Sequence, residues 1–276
     1  MGVHVYGALD FDNDPGAKWR VRVDGWDSGT GSTVVLTQKP SASRAVIGPR
    51  FKKPKPMMIS GSVTVDNPAL LVPALGRLKK AISIDPTTLT ITRYGLALSA
   101  SVVREGQVDV QRYASPYFAT FSAQLQQEDH RKFGVPIVAS TFLPSSSGGI
   151  TWPLTFPAKW NSQQVSGLIT INNPGDEVGK VLLRIDGPAP SPMVTHLGSG
   201  KALMFASGYS LGAGNWLDID MDNKSVLENG QASRAGFVSS RGWFGLDPGD
   251  NQFAFNVAGA YNPTAKLTVT AYPAYE

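Results

Sequence analysis

Trp19-Arg20-Val21-Arg22-Val23-Asp24 alternates apolar and polar side chains without a break. Successive side chains of an extended strand point to opposite faces, so this stretch hides Trp19, Val21 and Val23 while wetting Arg20, Arg22 and Asp24 only as a β-strand. The same period of two recurs in Met58-Ile59-Ser60-Gly61-Ser62-Val63-Thr64-Val65, in Leu89-Thr90-Ile91-Thr92 and in Phe118-Ala119-Thr120-Phe121-Ser122-Ala123-Gln124-Leu125. Such runs build half-buried antiparallel sheets. The chain's 29 Gly and 20 Pro fall between the runs as turn punctuation, so a mainly β fold is expected.

One segment departs from that pattern. In Asp66-Asn67-Pro68-Ala69-Leu70-Leu71-Val72-Pro73-Ala74-Leu75-Gly76-Arg77-Leu78-Lys79-Lys80-Ala81 the leucines at 71, 75 and 78 recur on one helical face. Asp66 or Asn67 can cap the start, Pro68 suits a first helical position, and Arg77, Lys79 and Lys80 lie at the favourable C-terminal end. One short helix is predicted, with Pro73 and Gly76 acting against its first half.

After residue 160 the chain reads as many short strands with a turn signal roughly every ten residues. They include Leu168–Ile171, Val181–Ile185, Ala202–Phe205, Trp216–Met221, Gln252–Val257 and Lys266–Thr270. That spacing suggests a sandwich of galectin-like or jelly-roll type. Between the halves lies Phe142-Leu143-Pro144-Ser145-Ser146-Ser147-Gly148-Gly149-Ile150-Thr151-Trp152-Pro153-Leu154-Thr155-Phe156-Pro157. Its Ser, Gly and Pro content opposes a strand ladder. The expected organisation is two β-sandwich-like domains, 1–143 with the helix and 161–276 galectin-like, joined by a connection over 144–160.

At 276 residues with 42% apolar and 17% charged side chains, two ordinary cores can form without staples. Cysteine is absent, which excludes disulfide frameworks, thiolate zinc sites and cysteine nucleophiles. No run reaches the length of a spanning helix and the first residues lack a secretory pattern, so a soluble protein without membrane insertion is expected. Residues 1–150 carry 17 Lys and Arg against 11 Asp and Glu, whereas 151–276 carry 8 against 10. The first half's surplus lacks the interleaved aromatics of a nucleic-acid platform, so sequence-specific nucleic-acid binding is not expected.

Catalytic and metal signatures are sparse. His4, His130 and His196 are far apart in sequence and read as ordinary surface histidines. Gly212-Ala213-Gly214-Asn215-Trp216-Leu217 has two glycines of a dinucleotide fingerprint but precedes a strand, and no Gly-x-Ser-x-Gly string occurs. Asp10-Phe11-Asp12-Asn13-Asp14 and the alternating Asp218, Asp220 and Asp222 could face calcium, yet Pro15 blocks the first as a loop and the second reads as one wet face of a strand. No catalytic residue, metal or cofactor is expected.

The ordered strings Asp186-Gly187-Pro188-Ala189-Pro190-Ser191-Pro192, Leu211-Gly212-Ala213-Gly214-Asn215-Trp216-Leu217-Asp218-Ile219-Asp220, Val226-Leu227-Glu228-Asn229-Gly230 and Trp243-Phe244-Gly245-Leu246-Asp247-Pro248-Gly249-Asp250-Asn251-Gln252-Phe253 resemble the distal tail proteins of long-tailed, siphovirus-type phages, especially those infecting actinobacteria. Gln124–Phe133 resembles the close of that family's ring-forming domain, with His130 where proline is usual. The resemblance implies a structural virion protein rather than an enzyme, made in the host cytoplasm and placed at the distal end of the tail. It implies a homo-hexameric ring joining the tail tube protein to the tail hub, with the tape measure protein as a further neighbour. Two surfaces follow as candidates. The basic run Arg50, Lys52, Lys53 and Lys55, read as a solvated loop because of Pro54 and Pro56, could dock on an acidic neighbour. Trp216 and Trp243 could stack sugars, the alternative function being a module that binds host cell-wall glycans.

Overall fold

The computed structural model describes residues 4–38, 45–113, 115–147 and 163–276. The chain divides into two compact units, Met1–Gly134 with Glu276, and Val135–Tyr275. In the first unit the strands are β1 (His4–Tyr6), β2 (Leu9–Asp10), β3 (Ala17–Asp24), β4 (Ser32–Gln38), β5 (Ala45–Lys52), β6 (Lys55–Val65), β7 (Thr87–Arg93), β8 (Leu96–Arg112), β9 (Phe118–Gln127) and β10 (Lys132–Phe133). An antiparallel sheet runs β2-β1-β7-β8-β9-β6-β3, with β10 meeting β8 at Phe133 and Ser99. Among the described residues β4 and β5 pair only with each other.

The helix α1 (Leu71–Ala81) follows a 3-10 turn over Pro68–Leu70. The Asn67 side chain accepts the Ala69 N–H and thereby caps the turn. Pro73 is harmless because it falls in the first turn of α1, where a backbone N–H has no helical acceptor to lose. Leu71, Ala74, Leu75 and Leu78 are buried and join Ile59, Leu89, Phe121 and Leu125 of the sheet in one core. Phe11, Trp19 and Phe121 form an aromatic triangle with ring centroids 5.5 to 6.3 Å apart. The triangle depends on Gly61, because a Cβ there would stand 2.2 Å from the Arg20 carbonyl oxygen and 3.1 Å from the Phe121 ring.

The second unit is a two-layer sandwich. One sheet runs β14-β24-β17-β18-β23, formed by Leu168–Asn173, Gly249–Val257, Pro192–His196, Lys201–Phe205 and Val238–Arg241. The other contains β11 (Ile137–Phe142), β25 (Lys266–Tyr275), β15 (Glu177–Asp186), β20 (Trp216–Asp220), β21 (Ser225–Glu228) and β22 (Ala232–Ser233). Short pairs complete it: β12 (Ser145–Ser147) with β13 (Gln163–Val165), and β16 (Ala189–Pro190) with β19 (Ser210–Leu211). Ile169, Phe253 and Phe255 of the first sheet and Leu183, Ile219 and Val269 of the second share one buried cluster.

The boundary between units differs from the sequence expectation. Ile137–Phe142 pairs residue for residue with β25, so the second unit begins at 135 and not after 143. The conspicuous breakers, Pro144 to Gly149, lie beyond this strand and mask it. Ser145–Ser147 forms part of a ladder after all, while residues 148–160 of the expected connection lie outside the described residues.

Two alanine substitutions should act with opposite signs. Gly76 sits inside α1 with no heavy atom within 4 Å of a Cβ, so Gly76→Ala should stabilise by about 0.5–1 kcal/mol. Gly61→Ala must displace backbone and should cost about 1–3 kcal/mol. Urea midpoints of the two variants against wild type check both.

Candidate interaction site

Every described side chain of β4 is exposed, and so are Arg50, Phe51 and Lys52 of β5. Five of the exposed positions are large and apolar: Val34, Val35, Leu36, Ile47 and Phe51, with Leu36 at 64% and Phe51 at 61% exposure. Leu36 stands opposite Ile47 across the ladder, and Val34 opposite Arg50. Among the described residues the hairpin is therefore a two-stranded arm with exposed apolar side chains and no sheet paired to it. Isolated hairpins are marginal in water, and exposed apolar strands invite pairing with another chain.

The basic run belongs to this arm and its root, not to a loop. Arg50 and Lys52 lie within β5, and Lys55 and Pro56 begin β6. Pro56 is accommodated because β6 pairs there only with β9; the β3 ladder reaches no further than Met58. Lys55 is a correction to the expected docking set. It is in phase with Met57 and Ile59 along β6, points inward, and is 3% exposed. Its ammonium donates to the Trp26 carbonyl at 2.8 Å. Lys52 donates to Glu276 at 3.0 Å, which leaves Arg50 and Lys53 as the members of the set with outward charge.

Lys132 converges on the same place. Its Nζ donates to the Trp26 carbonyl at 3.1 Å and to the Glu276 main-chain oxygen at 2.7 Å, and it lies 5.5 Å from the Trp26 ring centroid. Burial, and then the neighbouring Lys132 charge, pull the Lys55 pKa below its ordinary 10.5. Asp27 and Glu276 act in the opposite direction on Lys55, and the Trp26 carbonyl accepts from both ammoniums.

In the second unit, Trp216 opens β20, whereas Trp243 lies outside the strands, two residues after β23 (Val238–Arg241) of the other sheet. The Trp216 indole N–H donates to Asp218 at 2.8 Å, and the Arg184 guanidinium lies 4.6 Å from the ring centroid. Arg184 is held there by Asp186 at 3.0 Å, so a cation already occupies a face that a sugar would use. Trp243 packs against the sandwich core.

The acidic strings are occupied by their own chain. Asp10 accepts from the Asp12 and Asn13 backbone and from the Asn13 side chain. Asp14 takes two bonds from Arg77 and one from Trp19. Burial, the largest influence on Asp220, pushes its pKa up, but donors from Asn223 and Lys180 outweigh it and hold the carboxyl below its usual range. Among the described residues no three His, Asp or Glu side chains come together to hold a metal.

His196 is not a surface residue. It is 1% exposed, stacked near Phe244 and Phe253. Asn251 donates through Nδ2 to the Asp247 and Gly249 carbonyls and accepts the Asp247 N–H on Oδ1. That orientation turns Oδ1 toward His196 Nε2 at 3.0 Å, which requires the proton on Nε2, and Nδ1 pairs with the Ser199 hydroxyl at 2.8 Å. The network closes a hairpin between β17 and β18. Its sequence signal was available: His196 is in phase with buried Val194.

Lys55→Met should be tolerated, because Lys132 still satisfies the Trp26 carbonyl. Lys55 binds its proton less tightly in the folded state than in the unfolded state, so wild-type stability relative to the variant should rise as pH climbs toward 10.5. Urea midpoints at pH 7 and pH 10 measure this; a methionine variant whose relative stability improves with pH would contradict it.

Comparison with known proteins supplies an independent line. Residues 179–270 match the family described as siphovirus-type tail component, C-terminal domain. No curated protein matches the chain. Among solved structures, the SPP1 Dit protein, described as a paradigm of the hub adsorption apparatus in phages infecting Gram-positive bacteria, superposes with a TM-score of 0.64 at 12% identity over 98% of both chains. Chains of the phage p2 baseplate in its activated conformation, with Ca and with Sr, superpose at 0.53 with 12% identity and the same coverage. Residues 179–270 therefore resemble the C-terminal domain of siphovirus-type tail components, and the chain as a whole carries the fold of the SPP1 Dit protein.

Proposed function

We propose that this protein is a structural subunit of a phage tail tip that assembles head to tail into a homo-hexameric ring. The ring joins the tail tube protein to the hub, with the tape measure protein as a further neighbour. The observation that carries this reading is the β4–β5 arm. Val34, Leu36, Ile47 and Phe51 are exposed on a hairpin that pairs with nothing else among the described residues, and a second copy would supply the missing cover. β3 adds a second edge, paired among the described residues with β6 alone and carrying exposed Lys18, Arg20 and Arg22. An arm meeting a different surface on the next copy is a heterologous contact, which closes into a ring when the rotation permits.

The match of the full length to chains of phage adsorption and baseplate structures supports a virion role over an enzymatic one. The glycan-binding alternative has weaker support, because Arg184 already covers a face of Trp216 and Trp243 is turned to the core.

Sedimentation velocity tests the proposal. Wild type should sediment as a multiple of the 29.4 kDa chain, alone or on addition of the tail tube protein. The double variant Leu36→Asp, Phe51→Asp should remain at 29.4 kDa with unchanged near-ultraviolet dichroism. A wild type that stays monomeric under every condition, tube protein included, would overturn the ring.

A further inference from the structure

The arm needs a fixed direction if a neighbour is to use it, and its own ladder gives none. Between β3 and β4 the strap Gly25–Gly31 contains Gly29, with no heavy atom within 4 Å of a Cβ, and Gly31, with only the Lys53 side chain at 3.9 Å or more. Glycine adds conformational freedom at such a hinge. A carboxylate bridges the two strands at the root. Glu276 belongs to the first unit; its Oε1 accepts the Thr30 N–H at 3.1 Å and its Oε2 accepts Lys52 Nζ at 3.0 Å. Thr30 precedes β4 and Lys52 ends β5, so the two oxygens grip both strands where they leave the body. Next to them, Lys53 N–H donates to the Gly31 carbonyl at 2.7 Å.

From these contacts we infer that Glu276 is a positioning residue that clamps the root of the β4–β5 arm and presets its direction for assembly. The clamp is backed by a second layer. Lys132 holds the Glu276 main-chain oxygen and, with Lys55, the Trp26 carbonyl, so the strap and the clamp share one buried pair of ammoniums. The hydrogen bond from Lys52, followed by that from the Thr30 backbone, keeps the Glu276 carboxyl ionised by pushing its pKa down to about 2. The clamp is therefore closed above the ordinary carboxylate range and opens only as pH falls toward 2. Its use in assembly rests on the ring reading, but the clamp itself does not.

Hydrogen exchange on the full-length chain at a dilution that keeps it monomeric tests the clamp directly. In Glu276→Gln and in Lys52→Met, the amides bonded across β4 and β5 should exchange several-fold faster than in wild type, while those of β6 and β9 keep their rates. Unchanged arm exchange in both variants would overturn the clamp, and so would equal acceleration of arm and core, which would make Glu276 a general stabiliser. Assembly provides the second readout. Loosened arms with weakened wild-type-like assembly support both proposals; loosened arms in a protein whose wild type never oligomerises support the clamp and remove the ring.

Discussion

A strand with one apolar face must place that face against something, and this constraint organises both units. In the first, alternate residues of β3, β6 and β9 turn inward against α1 and the aromatic triangle. In the second, two sheets close on each other, and side chains such as Phe253 and Phe255 are fully buried, each contributing about 1.5–3 kcal/mol relative to exposure. A chain without cysteine relies on this burial, together with fully partnered polar groups such as His196 and Asn251, to define each core.

The β4–β5 arm is where the constraint is left unmet. Its apolar side chains are presented on a ladder that none of the described residues covers, and natural sheets usually blunt such edges. The exposure costs stability in the isolated chain, a cost that the proposed contact with a second copy would recover. Polar contacts at its root, Glu276 with Lys52 and Thr30, tie both strands to the body.

How far the fold could be read from the residues varied with the physics involved. Trp19–Asp24 and Phe118–Leu125 declared themselves by period-two alternation, and both are strands with the expected inward faces. The helix was legible from its leucines, although Pro73 argued for a later start; only the position of Pro73 within the first turn makes it neutral. Ile137–Phe142 was hidden by the adjacent Ser, Gly and Pro residues, and Ser32–Gln38 carried no polar face to alternate with its apolar one. Lys55 was misread because charge and proline suggested a loop, whereas its phase with Met57 and Ile59 fixes it inward. The cover on Trp216 depends on Arg184, brought beside it by the pairing of β15 with β20. Long-range register of that kind leaves no local mark in a sequence.

The account rests on this chain being a component of the tail tip, and gold-labelled antibody raised against the second unit and applied to intact virions tests that most directly. Label confined to the end of the tail farthest from the head is the expected result. Label on the capsid, or spread along the length of the tail tube, would contradict the account.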